Sequence, residues 1–83
     1  MKHKRFKQLI EYLLRSLAER PEAVVVTETV QGNKHHYFVE VARSDYSRII
    51  GRGGQTINSI RSIIRAAASK AQIEAIVDVR EKR

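Results

Sequence analysis

Cysteine and tryptophan are absent from this 83-residue sequence. Without cysteine, the chain can form neither disulfides nor thiolate zinc sites, and this fits a reducing compartment. No apolar run approaches the roughly 20 residues that span a bilayer, and the basic residues 1–5 do not lead into a signal-peptide core. We therefore expect a cytoplasmic protein without membrane insertion.

Acidic residues are scarce compared with basic ones. Nine Asp and Glu oppose sixteen Lys and Arg, which gives a formal net charge of +7. The natural electrostatic partner of such a chain is a phosphate polymer or an anionic membrane surface. A chain of this length buries only about 60% of the surface that its unfolded form exposes, so it has no room for a large active-site cavity. The composition favours a binding protein and not an enzyme.

Proline and glycine are also few, and they mark element boundaries instead of linkers. The single proline and the four glycines all fall between predicted helices and strands, and the sequence has no internal repeat or low-complexity stretch. We expect one domain over residues 1–83, with a basic N-terminal arm at 1–5 and a core at 5–80.

Hydrophobic periodicity predicts an α+β fold with the order α-β-β-α-α-β. Apolar residues recur at helical spacing in the first and fifth segments, whereas β-branched and aromatic residues alternate in the strands. Pro21 marks the end of the first helix, and Ser44 is the predicted N-cap of the second. The predicted elements are a helix at 5–19, strands at 23–30 and 35–42, a short helix that ends before Gly51, a helix at 55–70 and a strand at 73–79.

The two strands are predicted to form a hairpin around Gly32-Asn33, a dipeptide suited to a type II′ turn. A two-residue loop at this position pairs Val26 with Val39 and Val24 with Val41 on one face. That face is the better candidate for the core. The opposite face would carry Val25, Thr27 and Phe38.

The motif with functional content is Ile50-Gly51-Arg52-Gly53-Gly54-Gln55-Thr56-Ile57. A GxxG tetrapeptide alone is weak evidence, since chance produces one in about a third of chains of this length. Here it lies between two predicted helices and is flanked by isoleucines. Glycine permits the tight turn, and the missing Cβ atoms let a sugar-phosphate chain approach the backbone amides at the start of the next helix.

With this motif in place, the sequence resembles the KH family, whose signature is an apolar residue, GxxG and a second apolar residue three positions on. The element order resembles the bacterial type II arrangement, and the short chain resembles the stand-alone KH RNA-binding proteins of the KhpA type. The resemblance implies a three-stranded mixed sheet with three helices on one face. It also implies a groove between the loop and an adjacent strand that holds about four nucleotides.

The candidate binding residues follow from the loop and this resemblance. Gly51 and Gly54 would hold the turn, and Arg52 would pair with a phosphate. Gly53 departs from the family, which often has a polar or basic residue there, so the loop offers one cation. Bases would lie against isoleucines that can equally serve the core, namely Ile49, Ile50, Ile57 and Ile60. The predicted RNA-binding residues are Arg48, Ile50, Gly51, Arg52, Gly53, Gly54, Gln55, Ile57, Asn58, Arg61 and Arg65.

Other chemistry finds little support in the sequence. His35 and His36 are adjacent on a strand and point to opposite faces, so they cannot share a metal, and we expect both at the surface. Asp45 and Ser47 lie near the loop without a base or an oxyanion device, and helix capping explains both. The phosphate-loop motif fails because no Lys follows its last Gly. No cofactor is expected.

The main hypothesis is capture of short single-stranded RNA, in post-transcriptional regulation or as an RNA chaperone. The resemblance implies a homodimer and a larger KH-containing partner of the KhpB type. The alternative is a KH-shaped adaptor with an unused groove, which contacts proteins through Val25, Phe38 and Ile76 or a helix face. A helix-turn-helix protein that binds duplex DNA is a weaker hypothesis, because the hairpin and the final strand would then have no assigned function. Clustering of Arg48, Arg52, Arg61 and Arg65 around one groove would favour RNA.

Overall fold

The structure is a computed structural model and describes residues 4–82. The predicted element order is confirmed. The third helix has the predicted bounds, and the other elements differ from prediction by one or two residues at their ends. The elements are α1 (Lys4–Leu17), β1 (Val25–Gln31), β2 (Lys34–Val41), α2 (Arg43–Ile50), α3 (Gln55–Lys70) and β3 (Glu74–Glu81).

The sheet is mixed, as predicted, and has the order β1-β2-β3. The hairpin strands are antiparallel, whereas β2 and β3 are parallel. Val26 pairs with Val39 as expected. Gly32 has a φ of +63° and Asn33 does not share its positive φ, as a type II′ turn requires. Val24 lies one residue before β1, so its predicted pairing falls just outside the strand, although its side chain is buried.

The helices cover one face of the sheet, and the core lies between the two layers. Side chains at alternate strand positions point toward the helices and are buried, since successive residues of a strand face opposite sides. Each helix adds an apolar stripe to the same cluster. The buried cluster includes Phe6, Ile10, Leu14, Val24, Val26, Tyr37, Val39, Val41, Ile49, Ile57, Ile60, Ile64, Ala68, Ala75 and Val77.

His35 is not at the surface, contrary to the sequence-based prediction. It is 4% exposed, because it lies on the helix-facing side of β2, and its Nδ1 lies 2.9 Å from the Glu28 carboxylate. Burial tends to raise the pKa of Glu28, but the hydrogen bond with His35, the nearby Tyr37 hydroxyl and the positive charge of Lys7 together lower that pKa below the ordinary value. A buried polar pair of this kind depends on a partner from another strand, which alternation alone does not reveal.

The predicted N-terminal arm falls partly outside the described residues, which begin at Lys4. Helix α1 already starts at that residue, and Arg5 is exposed in its first turn. Residues 4 and 5 are therefore helical. At the other end, α1 stops at Leu17, four residues before Pro21, and a 3-10 turn at Pro21–Ala23 leads into β1.

Candidate nucleic-acid interface

The position of α2 depends on Asp45, whose role differs from the predicted one. The helix begins at Arg43 without a side-chain cap, so Ser44 is not its N-cap. Asp45 is fully buried, and its two carboxylate oxygens accept hydrogen bonds of 3.0 Å from the backbone amides of Glu19 and Arg20. These two bonds hold the pKa of Asp45 below its ordinary value, against the opposing effect of burial. Asp45 thus fastens α2 to the connection between α1 and β1.

Arg48 belongs to the same cluster and not to a free positive rim. Its Nη2 lies 3.2 Å from the Glu19 carboxylate, and its Nε lies 3.8 Å from Oδ1 of Asp45. Its side chain is about half exposed. The charge of Arg48 is therefore partly balanced by two carboxylates before any ligand arrives.

The Gly51–Gly54 turn follows directly from the end of α2. Gly51 closes the helix, since its amide donates to the Ser47 carbonyl at 2.9 Å, and its φ of +79° and ψ of 171° suit only glycine. A Cβ at this position would lie 2.8 Å from the backbone nitrogen of Thr56 and even nearer to its hydroxyl. The Gly54 amide then donates to the Gly51 carbonyl at 3.1 Å. The corner is therefore tight at its base.

The tip of the turn is open, in contrast to its base. Arg52 and Gly53 are both exposed, and a Cβ built on Gly53 would have no atom within 4 Å. The Arg52 side chain makes no hydrogen bond or ion pair with any residue between 4 and 82, although the Arg52 carbonyl accepts the Gln55 amide. Helix α3 starts immediately afterwards at the exposed Gln55, without a side-chain cap on its first amides. The turn thus presents bare main chain, an unpaired cation and the positive end of a helix dipole together.

One face of α3 continues from the turn along the edge strand β3. Asn58, Arg61 and Arg65 share this face because they are three and four residues apart. The Nε of Arg61 donates to the Val77 carbonyl on β3 at 2.9 Å, and its Nη1 donates to Oδ1 of Asn58 at 3.2 Å. Arg65 is exposed and borders a shallow depression at the start of β3. Arg48 and Arg61 are therefore held by different partners, whereas the Arg52 and Arg65 side chains have none in the described residues.

The isoleucines around the turn are mostly core residues. Ile49, Ile57 and Ile60 are 0%, 2% and 5% exposed, so they support the turn from beneath. Ile50 is half-buried and packs against the edge of the core. Of the four predicted base platforms, Ile50 alone keeps a substantial exposed surface.

Tyr46 on α2 is a further candidate, which was not among the residues predicted from the sequence to bind RNA. It is half-buried and lines a depression together with Arg43, Arg80 and Glu81. An aromatic ring beside arginines can stack on a nucleobase. The spacing of Tyr46 and Ile50 on α2 was visible in the sequence, but the approach of Arg80 from β3 was not.

Two classes of feature are missing from the part of the chain that the structure describes. Among residues 4–82, no three His, Asp or Glu side chains come together in a way that could hold a metal ion. None of the helices in that range combines the length and the apolar character needed to cross a bilayer.

Comparison with known proteins identifies the family. The model of the family described as "KhpA/KhpB, KH domain" matches residues 7–79, which include the turn and all six main elements except the first residues of α1 and the last of β3. The chain belongs to the KhpA/KhpB family of KH domains. Its α-β-β-α-α-β order and three-stranded mixed sheet are those of a type II KH domain, so the predicted fold and family are both confirmed.

Several bacterial members of the KhpA/KhpB family are similar over nearly their whole length. The protein named RNA-binding protein KhpA of Chlamydia muridarum is 32% identical over 77 residues, which cover 93% of this chain and 99% of that protein. Its counterpart of the same name in Halalkalibacterium halodurans is 32% identical over 73 residues, covering 88% and 96%. That of Thermotoga maritima is 37% identical over 60 residues, covering 72% and 80%.

Proposed function

We propose that this protein binds short single-stranded RNA, with the Gly51–Gly54 turn holding the sugar-phosphate chain and the groove beside it receiving the bases. The observation that carries the proposal is the open tip of the turn, where exposed main chain, an unpaired Arg52 and the start of α3 coincide. Anions favour helix N-termini and bare backbone amides, and a phosphate chain fits where no Cβ obstructs it. The name of these relatives, RNA-binding protein KhpA, supports the same function.

The role of each candidate residue follows from its surroundings. Arg52 would pair with a phosphate, and Gly53 would present its exposed main chain to it. Gly54 and Gln55, whose amides already donate to the Gly51 and Arg52 carbonyls, would line the path of the sugar-phosphate chain. Ile50 would support a base at the rim, whereas the buried Ile57 would act from beneath. Asn58 and Arg61 would lie along the groove, with Arg65 at its far end. Arg48 would contribute the least, because Glu19 and Asp45 already balance its charge. The action is binding, without a catalytic step.

A single groove for about four nucleotides binds weakly, so we propose that the protein works together with a second RNA-binding domain. The partner would be another copy of this chain or a larger KH-containing protein of the KhpB type, which the family description names beside KhpA. Linked grooves would raise the effective concentration of the second site. The cellular role would be cytoplasmic, in post-transcriptional regulation or as an RNA chaperone.

The test replaces Arg52 and Gly53 together by Asp, which brings two carboxylates toward the phosphates. We expect RNA binding to be lost while the melting temperature stays close to that of a matched Asn variant, because both residues are exposed and the positive φ of Gly53 costs Asp and Asn alike. The matched control replaces the same two residues by Asn. Asn tolerates the φ of +63° at Gly53 about as well as Asp does, but adds no charge.

Binding would be measured by fluorescence anisotropy with a labelled 12-nucleotide RNA of mixed sequence at two salt concentrations. The Asn control should bind at least tenfold more tightly than the Asp variant, since only the latter repels phosphate. If the Asp variant bound like the unmodified protein with the same salt dependence, the turn would not be the binding site.

The outer face of the sheet supports a second candidate function, as a protein-interaction adaptor. None of the helices described in residues 4–82 covers this face, which carries Val25 at 44% exposure together with Phe38 and Ile76. Its charges are mixed, with Lys34 and Arg80 against Glu40, Glu74 and Asp78. Such a surface suits a protein better than a polyanion. Replacement of Phe38 by Ser would abolish partner binding and spare RNA binding if this adaptor function exists.

A further inference from the structure

The edge strand β3 offers unpaired main-chain groups to the groove. The amides of Glu74 and Lys82 donate to the carbonyls of Asn33 and Val41 at 2.8 Å each, so even-numbered residues bond toward β2. In a parallel ladder the alternate residues point their N–H and C=O groups the other way. The backbone groups of Val77 and its odd-numbered neighbours therefore face the free edge.

Arg61 connects this edge to the Gly51–Gly54 turn. Its Nε donates to the Val77 carbonyl at 2.9 Å, and its Nη1 donates to Asn58 Oδ1 at 3.2 Å. On the other side, the Nδ2 of Asn58 lies 3.5 Å from the point where a Cβ of Gly54 would stand. A line of contacts thus runs from the turn through Asn58 and Arg61 to β3, along the proposed path of the bases.

The two hydrogen bonds hold the Arg61 guanidinium in one orientation and leave donors free. Arg carries five N–H groups in a planar fork, of which two are used here. The three that remain include one on each terminal nitrogen, and this pair suits two adjacent acceptors. No other polar partner of Arg61 occurs among residues 4–82. A cation fixed in this way has already lost the freedom that a mobile surface arginine would lose on binding.

We infer that Arg61, held by Asn58 and the Val77 carbonyl, selects bases that carry two adjacent acceptors, namely guanine or cytosine, over adenine and uracil. This inference rests on the proposed RNA-binding function. Guanine presents O6 and N7 side by side, and the Watson–Crick edge of cytosine presents N3 and O2, both accessible in a single strand. Adenine and uracil offer no two adjacent acceptors on their Watson–Crick or Hoogsteen edges.

The surroundings of Arg61 favour a base over a phosphate. The Val77 carbonyl and the side-chain Oδ1 of Asn58 both bond to Arg61 and each keeps a second lone pair, so acceptor oxygens that repel an anion lie next to the guanidinium. A base can instead donate an amino group to such oxygens. Arg52, in contrast, is exposed at the tip of the turn without any partner in the described chain, which suits a phosphate.

The experiment compares octauridine with three octamers that carry a single central guanine, cytosine or adenine. The guanine or the cytosine octamer should bind about tenfold more tightly than the adenine and uridine octamers. Two further octamers contain 7-deazaguanine or 3-deazacytosine, each of which lacks one acceptor of the pair. The preferred base should lose its advantage in the deaza form, and this arm identifies the base without any protein variant.

Arg61→Lys keeps the charge but removes the fork, and Arg65→Lys, one turn further along α3, is the matched control. Arg61→Lys should bring the affinities of the four octamers within about threefold of one another, chiefly by weakening binding of the preferred octamer, whereas Arg65→Lys should keep the preference. A uniform loss of affinity in Arg61→Lys would indicate a phosphate contact and overturn the inference, as would equal binding of all four octamers or retained affinity for the deaza forms.

The Arg52/Gly53 double Asp variant separates this inference from the function on which it rests. If the unmodified protein binds all octamers equally and the double Asp variant binds none, RNA binding stands and base selection by Arg61 fails. If the unmodified protein binds none of the octamers, both fail.

Discussion

At the scale of single residues, Asp45 fixes the position of α2 and therefore of the Gly51–Gly54 turn that follows it. A buried carboxylate is costly unless its oxygens are satisfied, and here each oxygen accepts a backbone amide from the connection after α1. Its neighbour Ser44, which the sequence pattern marks as the N-cap, is exposed and makes no such bond. The two residues are adjacent, yet only one of them is expected to affect stability.

Asp45→Ala should destabilise the protein at neutral pH, because it leaves the amides of Glu19 and Arg20 without an acceptor. We expect the melting temperature to fall by roughly 5 °C or more, whereas Ser44→Ala should change it by less than about 2 °C. Differential scanning calorimetry on both variants measures this. A larger effect of Ser44→Ala would restore Ser44 as the cap and contradict the role assigned to Asp45.

The lowered pKa of Asp45 also predicts that its contribution to stability depends on pH. The folded-state pKa of Asp45 is lowered, so the stability that it contributes is present above its unfolded pKa of about 3.9 and is lost as the pH falls through the folded value. The difference in melting temperature between the unmodified protein and Asp45→Ala should therefore be constant from pH 7 to 5 and shrink below pH 4. A difference that stayed constant down to pH 2 would mean that the carboxylate does not titrate with folding.

At the scale of the elements, the corner between α2 and α3 depends on one glycine more than on the others. Gly51 combines a positive φ with an extended ψ, and the start of α3 occupies the space that a side chain would need. Gly53 also has a positive φ, but with a ψ of 20°, a left-handed conformation that other residues adopt at moderate cost, and it faces open space. Within the GxxG motif, Gly51 is therefore required by the structure of the turn, whereas Gly53 is accessible to a ligand.

Gly51→Ala should destabilise the fold, with about 1–3 kcal/mol from the backbone conformation and a further loss from the clash with Thr56. Gly53→Ala is the matched control and should cost only about 1–2 kcal/mol. Urea denaturation followed by circular dichroism gives both free energies of unfolding. Equal costs for the two variants would show that the space around Gly51 can relax.

At the scale of the whole molecule, the net charge is +7, but some of the cations are already balanced by neighbouring carboxylates and others are not. Arg48 is balanced by Glu19 and Asp45, and His36 and Arg80 on the outer face lie beside Asp78 and Glu40. Arg52 at the turn has no such partner in the described range. If the proposed function holds, we expect Arg52 at the tip of the turn to release counterions from RNA more than Arg48 does.

Arg52→Gln and Arg48→Gln remove the same charge, so long-range attraction changes equally in both. We expect Arg52→Gln to lower the slope of log affinity against log salt by about 0.7, the value for one phosphate contact with a single strand. Arg48→Gln should change the slope by less than half of that and should lower the melting temperature instead. The measurement is RNA affinity at salt concentrations between 50 and 200 mM, and equal slopes in both variants would contradict this assignment.

Local patterns determined much of the fold. The spacing of Ile57, Ile60 and Ile64 predicted α3 with its observed bounds, and the Gly32-Asn33 turn gave the pairing of Val26 with Val39. These features depend on periodicity and on backbone angles that few residues adopt, so they can be recognised along the chain. The GxxG turn belongs to the same group, because glycine spacing is itself the signal.

The tertiary structure alone decided which polar side chains find partners. Asp45 meets amides 25 and 26 residues away, His35 meets Glu28 across the hairpin, and Arg61 meets Val77 on the edge strand. The contacts of Asp45 and Arg61 depend on how the helices pack on the sheet, which no sequence spacing specifies. The predicted hairpin register places Glu28 and His35 on one face, but it does not specify their hydrogen bond. The sequence by itself therefore determined the elements, their order and the exposed glycine corner, whereas packing decided which arginine stays free and which is held in place.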